Sequence, residues 1–435
     1  MERYLRYPEQ KGGLIELADG RLMGIIRGLL KFYSEDRGRT YSEPEPLLAD
    51  GEQIIGSGDP GGVLRLRSGA IGITYFGPLK PEDFPGLGSR VQGRFSQEQR
   101  ALYFRKSTDE GQTWSPAQRV GGPGVAQSYS LHDTMICLQN GRLVWPCYGG
   151  VRGYRPTNPP KVEGLERGIG HLWYTEALSP TKIYYSDDEG KTWSVSDGDL
   201  MLWIDGGQGN LDALHEPTVA EAKDGRLVLL ARCGQMRAVQ SFSYDQGKTW
   251  TLPELSQLNS ANAPIRVRRI PTTGDLMVVW NQVTAEEHRS GYGRYRLSAA
   301  NSKDSGQTWT NFRNIHVSPG LNESPRVSDP EPAGFVRPGS NAKPGAPMPD
   351  NPVQGYLRAS YANFFFVGDE VLIEHDYWYQ TDPFHSHEVP ERWKHLTKDR
   401  NRQTSTGHKL SSLPRKLHIL PLSWFYTDRF PRGAQ

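Results

Sequence analysis

Four side chains in this sequence carry groups suited to binding or attacking an anionic ligand. Glu216 lies near the start of the stretch LHEPTVAEAKDGRLVLLAR, which ends sixteen residues later at Arg232. Arg294 lies eight residues before the segment SKDSGQTW, and Tyr361 opens the apolar run YANFFFV. Guanidinium groups bind carboxylates and other planar anions through paired hydrogen bonds. The set therefore indicates an anion-binding site, although Glu216 alone also fits a polar residue at the edge of a strand.

A repeated octapeptide determines the elements that carry these residues. The pattern Ser-x-Asp-x-Gly-x-Thr-aromatic occurs five times, as SEDRGRTY, STDEGQTW, SDDEGKTW, SYDQGKTW and SKDSGQTW, with starts 73, 79, 57 and 59 residues apart. In such a turn the Asp carboxylate accepts backbone N–H groups, and the Gly allows a positive φ. We therefore predict five hairpin turns in which the aspartates are structural.

A second pattern places two strands before each octapeptide. Glycine-containing turns precede β-rich runs at Gly20, Gly69, Gly141, Gly225 and Gly274, with Glu370 in the glycine's place in a sixth copy. The repeating unit is therefore strand, tight turn, strand, loop, strand, octapeptide and strand. Six such units, the sixth without the octapeptide, predict an all-β fold, a six-bladed β-propeller. We expect residues 1–435 to form one domain, whose last blade is closed by the terminal segments RYLRYP and KLHILPLSWFY.

The positions nine residues before each turn glycine define one ring at the mouth of such a propeller. The first strand of each blade lines the central channel, so ligands bind where these strands begin or end. The positions in the ring are Lys11, Pro60, His132, Glu216, residues 262–264, and Tyr361. Their polar neighbours in the chain are Gln10, Asp59, Asp133 and His215. Glu216 and Tyr361 are thus at the same depth on the fourth and sixth blades. We predict that Arg232 and Arg294 reach the same mouth.

The bulk composition argues against several other classes of protein. The chain has 51 basic and 49 acidic residues, whereas nucleic-acid and membrane-surface proteins usually carry one dominant sign. No stretch approaches the ~18 apolar residues of a membrane span, and the N-terminus lacks the apolar core of a leader. The three cysteines show neither a disulfide framework nor metal-ligand spacing. We expect a cytoplasmic protein without metal or cofactor, or a secreted or periplasmic one if a leader was removed.

These motifs resemble those of the sialidase (neuraminidase) superfamily, in which the octapeptide is the Asp box. EPTVAEAKDGRLVLLAR is similar to the family's fourth-blade motif, whose first Glu and last Arg are functional. YANFFFVGDEVLIEHDY resembles the strand of the nucleophile, and RYRLSAANSKDSG the segment with the third clamp arginine. The resemblance implies an exo-acting glycoside hydrolase that releases a terminal acidic sugar, with Tyr361 as nucleophile and Glu216 as its base. A tyrosine avoids the repulsion between a carboxylate nucleophile and the sugar's own carboxylate.

Two positions depart from the family's pattern. Gln10, with Lys11 beside it, stands where the family has its leading clamp arginine, and the family's acidic aspartate after the first blade's second strand has no counterpart. Asp59 is the candidate for the missing acid, because a partly buried carboxyl group can stay protonated. Further candidates for the acid, or for binding sugar hydroxyls, are Asp133, His132 and His215. The substrate therefore need not be sialic acid.

Two other functions are compatible with the same residues. His132 or His215 could serve a lyase or hydrolase that acts on glycans containing uronic acid or rhamnose. A propeller could also bind a glycan at its mouth without cleaving it, because a fold alone does not determine function. A hydrogen bond between Tyr361 and Glu216 would favour the glycoside hydrolase with a tyrosine nucleophile.

Overall fold

A computed structural model shows a chain built almost entirely of β-strands. It describes residues 2–5, 12–26, 28–49, 51–54, 62–78, 100–121, 132–149, 180–204, 210–212, 214–284, 287, 293–318, 321, 357–379 and 415–426. Within these residues the strands form six four-stranded sheets and two short hairpins. The fold class is the predicted all-β, six-bladed β-propeller.

The first three sheets each consist of consecutive strands. The first contains β2 (Gly13–Glu16), β3 (Leu22–Ile26), β4 (Leu30–Ser34) and β5 (Glu45–Pro46). The second contains β8 (Gly62–Arg65), β9 (Ile71–Pro78), β10 (Arg100–Ser107) and β11 (Gln118–Val120). The third contains β12 (Ile136–Cys137), β13 (Leu143–Tyr148), β14 (Thr181–Ser186) and β15 (Ser194–Val195). The hairpins are β6 (Leu48–Ala49) with β7 (Glu52–Gln53), and β16 (Leu202–Ile204) with β17 (Asn210–Asp212).

The last three sheets carry most of the predicted site. The fourth contains β18 (His215–Glu221), β19 (Leu227–Arg232), β20 (Arg237–Ser243) and β21 (Glu254–Asn259). The fifth contains β22 (Arg266–Arg269), β23 (Leu276–Trp280), β24 (Arg296–Ser302) and β25 (Thr310–Val317). The sixth contains β26 (Leu357–Val367), β27 (Glu370–Tyr379), β28 (Arg415–Pro421) and, at its edge, β1 (Glu2–Leu5). The N-terminal strand thus pairs antiparallel with the last strand of the chain.

The chain divides into two compact units. The first unit comprises residues 10–219 and 242–253, and the second comprises 1–9, 220–241 and 254–435, so the residues of the fourth sheet are divided between them. In the first unit, a core that includes Ile73 joins the first and second sheets, and another with Trp145 joins the second and third. In the second unit, a core with Phe364 joins the fifth and sixth sheets. Because both faces of these strands are buried, they read as continuous apolar runs in the sequence.

Each octapeptide closes the turn between the third and fourth strands of its sheet, as predicted. In the first copy, Asp36 accepts the backbone N–H groups of Arg39 (2.9 Å) and Thr40 (2.7 Å) and the Thr40 hydroxyl (2.6 Å). The bond from the Thr hydroxyl to the Asp carboxylate recurs in the other four copies. At Asp109, burial opposes ionisation, but the hydrogen bonds from Thr113 and its neighbours outweigh it and lower the pKa to about 2. These carboxylates are engaged within their own turns.

The fourth residue of the octapeptide reaches the turn of the preceding sheet. It has a positive φ in all five copies. In the first unit, backbone or side-chain donors of the preceding turn bond to it at 2.8–2.9 Å, in the pairs Ala18 with Glu110, Ser68 with Glu189, and Asn140 with Gln246. The octapeptides therefore connect neighbouring sheets as well as closing turns.

The sixth sheet has no octapeptide, and a 3-10 helix, Leu422–Tyr426, takes over its connecting role. The strand expected over 416–426 ends at Pro421, where Leu422 turns its N–H to the carbonyl of Asp369 at 2.8 Å. The Tyr426 hydroxyl donates to Asp275 at 2.9 Å and accepts from Thr273 at 2.9 Å, both near the first turn of the fifth sheet. The last described segment therefore supplies both a strand and a connection to the neighbouring sheet.

Candidate functional site

Three of the residues predicted at the mouth have a left-handed backbone. Their φ angles are 50° at Glu216, 51° at Tyr361 and 54° at Asp133. Residues with a Cβ rarely adopt this conformation, and for a bulky residue it is a marked outlier. Strain of this kind persists only where the surroundings impose it, and it is concentrated at active sites and ligand-binding positions. Glu216 and Tyr361, two of the positions that the nine-residue spacing selected, and Asp133 beside a third therefore share a backbone conformation that is also found in the octapeptide turns.

Tyr361 lies in a β-bulge. The pairing of β26 with β27 shifts by one residue between Ser360 and Asn363, so that Tyr361 and Ala362 together oppose the single residue His375. The left-handed position of such a bulge is normally glycine, because glycine has no Cβ to clash. A bulge redirects the side chains it carries and is common beside active sites. The sixth sheet therefore presents Tyr361 differently from its strand neighbours.

Arg294 contacts Tyr361 directly. Its guanidinium carbon lies 5.4 Å from the centroid of the tyrosine ring, and its Nη2 donates to the carbonyl of Asn262 at 2.8 Å. Its own backbone carbonyl accepts the N–H of Ala359 at 2.9 Å, two residues before the tyrosine. The hydroxyl of Ser360 is 3.5 Å from its Nη1. One arginine therefore joins the predicted mouth positions of the fifth and sixth sheets.

Arg296, two residues further on, has a different role that the sequence reasoning missed. Its buried guanidinium forms two parallel bonds to Glu287, at 2.8 and 2.7 Å. The Glu287 carboxylate also accepts the N–H of Thr284 at 2.9 Å, and the Thr284 hydroxyl accepts the N–H of Glu287 at 3.1 Å. The Thr-x-x-Glu spacing of a capping box is the sequence signal for this arrangement. Arg296 is thus paired with Glu287, whereas Arg294 is the arginine that contacts the tyrosine ring.

Glu216 and Arg232 occupy the strand ends that the sequence predicted. Glu216 is the second residue of β18 and 7% exposed, and Arg232 is the last residue of β19 and 5% exposed. Ionisable groups are rarely buried unless hydrogen bonds or opposite charges compensate the loss of water. Both side chains are therefore buried at the ends of their strands, and their roles in binding and catalysis stay predictions.

Asp133 packs against the first residues of two other sheets within the first unit. Its Oδ1 accepts the N–H of Val63 at 3.4 Å, and a Cβ added to Gly13 or Gly62 would lie 2.6 or 3.3 Å from the same oxygen. Only glycine leaves room for the carboxylate there. Asp133 and its neighbour His132 are 3% and 1% exposed. Asp133 thus lies close against the first residues of β2 and β8.

Of the other predicted site residues, the structure describes only His215. His215 is half-buried, with its ring 5.3 Å from that of Tyr148. Gln10, Lys11 and Asp59 lie outside the described residues. Their predicted roles in the anion clamp and as the acid stay predictions.

Within the described residues, no group of three or more His, Cys, Asp or Glu side chains could hold a metal ion. None of the helices found there is long and apolar enough to cross a membrane. The three cysteines are free thiols, and burial raises the pKa of Cys147 well above its ordinary value.

Comparison with known families accounts for the repeats. A family model described as a BNR repeat-like domain matches residues 88–369, which is more than half of the chain. No curated protein sequence matches significantly.

Solved structures share the fold at low sequence identity. A protein of unknown function from Dyadobacter fermentans has a TM-score of 0.55 at 16% identity, with 97% of this chain and 99% of that chain covered. The Hadza microbial sialidase Hz136 has a TM-score of 0.53 at 15% identity, with 95% and 66% covered. A mutant of the NanB sialidase from Streptococcus pneumoniae has a TM-score of 0.54 at 11% identity, with 97% and 71% covered.

Proposed function

This chain belongs to the BNR repeat-like domain family, and on that basis we propose that it is an exo-acting glycoside hydrolase that releases a terminal acidic sugar from a glycan. Two of the similar folds are sialidases. The observation that carries the proposal is the left-handed, bulged Tyr361 with the Arg294 guanidinium over its ring. Backbone strain of this kind clusters at active sites and ligand-binding positions.

In the proposed reaction Tyr361 is the nucleophile and Glu216 its base. Glu216 takes the phenolic proton as the Tyr361 oxygen bonds to the anomeric carbon. The glycosidic bond breaks, and its electron pair leaves on the aglycone oxygen, which takes a proton from an acid. Water then gives a proton back to that acid and bonds to the anomeric carbon, while the tyrosine oxygen departs and regains its proton from Glu216. The products are the free sugar, the aglycone with its hydroxyl group, and the unchanged protein.

The arginines favour a sugar with a carboxylate. A guanidinium has five N–H donors in one plane and binds a carboxylate through two of them. Arg294 gives one donor to the carbonyl of Asn262, and its charge lies beside the proposed nucleophile. A sugar whose carboxylate is attached to the anomeric carbon would present that carbon to Tyr361 when bound there. Arg232 is the proposed second member of the clamp.

We propose Asp59 as the acid. Asp133 is the other carboxyl group considered for this role, but it is buried and its oxygen is enclosed by Gly13, Gly62 and Val63. Such packing leaves little room for an aglycone oxygen. Asp59 stands in the glycine-rich segment GSGDPGG, where the backbone can approach a ligand closely.

A second candidate function is a propeller that binds an acidic sugar without cleaving it. Gln10 favours this alternative, because it stands where the resembling enzymes have their leading clamp arginine. With a weaker clamp, a ligand can still bind while its anomeric carbon is poorly placed for attack.

A sugar-release assay separates the two candidates. The full chain is incubated with α-sialosides, other ulosonosides and glucuronides, and free sugar is measured by mass spectrometry. We expect release from one of these classes, and a loss of about 10²–10⁴-fold in Glu216→Gln, the usual contribution of a general base. Tyr244→Phe is the matched control, because Tyr244 is 72% exposed, and it should keep full activity. No release from any class, together with calorimetric binding of a free acidic sugar, would favour the binding propeller.

A further inference from the structure

Three buried histidines adjoin the strand segment that faces the Tyr361 bulge. His375 of β27 is the residue opposite Tyr361 and Ala362, and it is fully buried. His418 of β28 is 2% exposed, and the centroid of its ring lies 5.2 Å from that of His375. His316 of β25 lies 5.9 Å from the His375 ring. None of these histidines belongs to the predicted mouth, so the site as proposed leaves them without a role.

The hydrogen bonds define the protonation of the pair. His375 Nδ1 lies 2.8 Å from the carbonyl oxygen of Asp376, which can only accept, so Nδ1 carries a proton. His375 Nε2 lies 3.0 Å from His418 Nε2. In the neutral His375 ring, Nε2 is therefore the acceptor, and His418 Nε2 must be the donor. A proton added to His375 would set two N–H groups against each other unless His418 changed its tautomer.

Charged groups of both signs lie around the pair. Arg415 bonds to Asp376 at 2.5 Å and lies 3.5 Å from Glu374, and Glu2 of β1 is the residue opposite His418. Lys416 places its ammonium 5.2 Å from the ring of Tyr377, whose ring is also 5.9 Å from that of His375. His316 on β25 adds a third imidazole and is bonded to Ser318 at 3.2 Å. A proton added to His375 would place a buried positive charge beside Arg415 and two other imidazoles, which is unfavourable.

We propose that His375 and His418 are positioning residues for Tyr361, whose neutral, hydrogen-bonded pair fixes the stretch of β27 against which the tyrosine bulge forms. Protonation of the pair loosens the bulge and so withdraws the tyrosine from its working position. This inference rests on the proposed function for its consequence in catalysis, but its structural part does not.

The direction of the pH dependence follows from the environment of His375. Burial, then the neighbouring His418 and His316, lower its pKa well below the ordinary value, and the carbonyl of Asp376 offsets this only in part. A group whose pKa is lowered in the folded state stabilises that state fully above its unfolded pKa, about 6.5. The contribution is lost as the pH falls below that value. Acid should therefore loosen the bulge.

Hydrogen exchange of the full chain tests the structural part. Exchange of peptides from residues 357–367 is measured by mass spectrometry at about pH 7.5 and about pH 5, with correction for the intrinsic rate. We expect exchange at least about tenfold faster at the lower pH, equivalent to one pKa unit of linkage. Peptides from Leu143–Tyr148 of the third sheet are the internal control and should stay protected at both values.

Two variants of His418 separate positioning from simple loss of stability. His418→Leu removes the donor to His375, so the bulge should exchange faster already at the higher pH. His418→Gln keeps an amide that can donate or accept, so it should restore protection at the higher pH and reduce the difference between the two pH values. Equal protection of the wild-type bulge at both pH values, or His418→Gln no better than His418→Leu, would overturn the proposal. Should His418→Leu fail to fold, the wild-type comparison and His418→Gln still decide.

The effect of the histidine pair on catalysis is measured by kinetics, independently of hydrogen exchange. If sugar release is observed, kcat should fall with acid over the range in which the bulge loosens, with KM nearly constant, and the fall should be shallower in His418→Gln. A fall that is unchanged in His418→Gln would contradict the positioning role in catalysis. Absence of release at every pH would defeat the proposed function, whereas the exchange result would still decide whether the histidine pair holds the bulge.

Discussion

Tyr361 keeps a bulky side chain where a sheet would more easily accommodate glycine. A residue in this region of φ costs on the order of 1–3 kcal/mol, which its surroundings must offset. The ring lies beside the Arg294 guanidinium, and the adjoining Ser360 and Asn363 are fully buried. Asn363 is also bonded to Arg268 at 3.1 Å. The contacts on both sides of the bulge therefore hold the tyrosine in its conformation.

Arg294 and Arg296 should respond differently to removal. Arg294→Ala should raise KM for an anionic substrate about tenfold to a hundredfold, because a charge-assisted hydrogen bond contributes about 1.5–3 kcal/mol. Arg296→Ala should instead lower the free energy of unfolding by about 3–5 kcal/mol, because it leaves Glu287 buried without its partner. Steady-state kinetics and urea unfolding of both variants measure the difference.

Each arginine variant controls for the other. Arg294→Ala should unfold at nearly the wild-type urea concentration, because this side chain is only half-buried. An unchanged KM in Arg294→Ala, with a substrate that the wild type cleaves, would remove this arginine from the proposed clamp.

At the scale of elements, the connections between sheets are built from turns. The octapeptide turns connect to the preceding sheet through residues such as Glu110, which accepts the N–H of Ala18 and pairs with Arg65. The 3-10 helix uses Tyr426 in the same way, although its sequence LSWFY has no likeness to the octapeptide. The connection is thus common to both elements, while the residues that make it differ.

The Tyr426 connection should weaken in alkali. Burial and then Asp275 raise the pKa of Tyr426 to about 12, although the bond from Thr273 opposes the shift. The neutral phenol therefore stabilises the fold fully below about pH 10, and this is lost as the pH rises toward about 12. Tyr426→Phe should lower the free energy of unfolding by about 1–2 kcal/mol at neutral pH, because two hydrogen bonds are removed. Urea unfolding at neutral and alkaline pH measures both effects.

The exposed Tyr244 again provides the matched control for that experiment. Tyr244→Phe should leave both the neutral stability and its alkaline decline unchanged, because the side chain is 72% exposed. A Tyr426→Phe variant that still shows the full wild-type decline between about pH 10 and about pH 12 would assign the decline to other groups.

At the scale of the whole molecule, the sequence predicts the repeated turns and strands, but it does not predict features that arise from the pairing of strands. The octapeptides and turn glycines recur, so they place the strands on either side of Gly225 at His215–Glu221 and Leu227–Arg232, close to the expected bounds. The same spacing selects Glu216 and Tyr361. The bulge is invisible in one sequence, because it is a shift of register between two strands. His375 and His418 meet only through that pairing, and the 3-10 helix follows no repeated pattern.

The central claim is that the Tyr361 oxygen forms a covalent bond to the sugar. The most direct measurement is peptide mass spectrometry after incubation with a fluorinated analogue of the cleaved sugar, which slows hydrolysis of the intermediate. We predict one label per chain, on the peptide that contains Tyr361, and none in Tyr361→Phe, which lacks only one hydroxyl. A label on another residue, or full sugar release by Tyr361→Phe, would contradict the account.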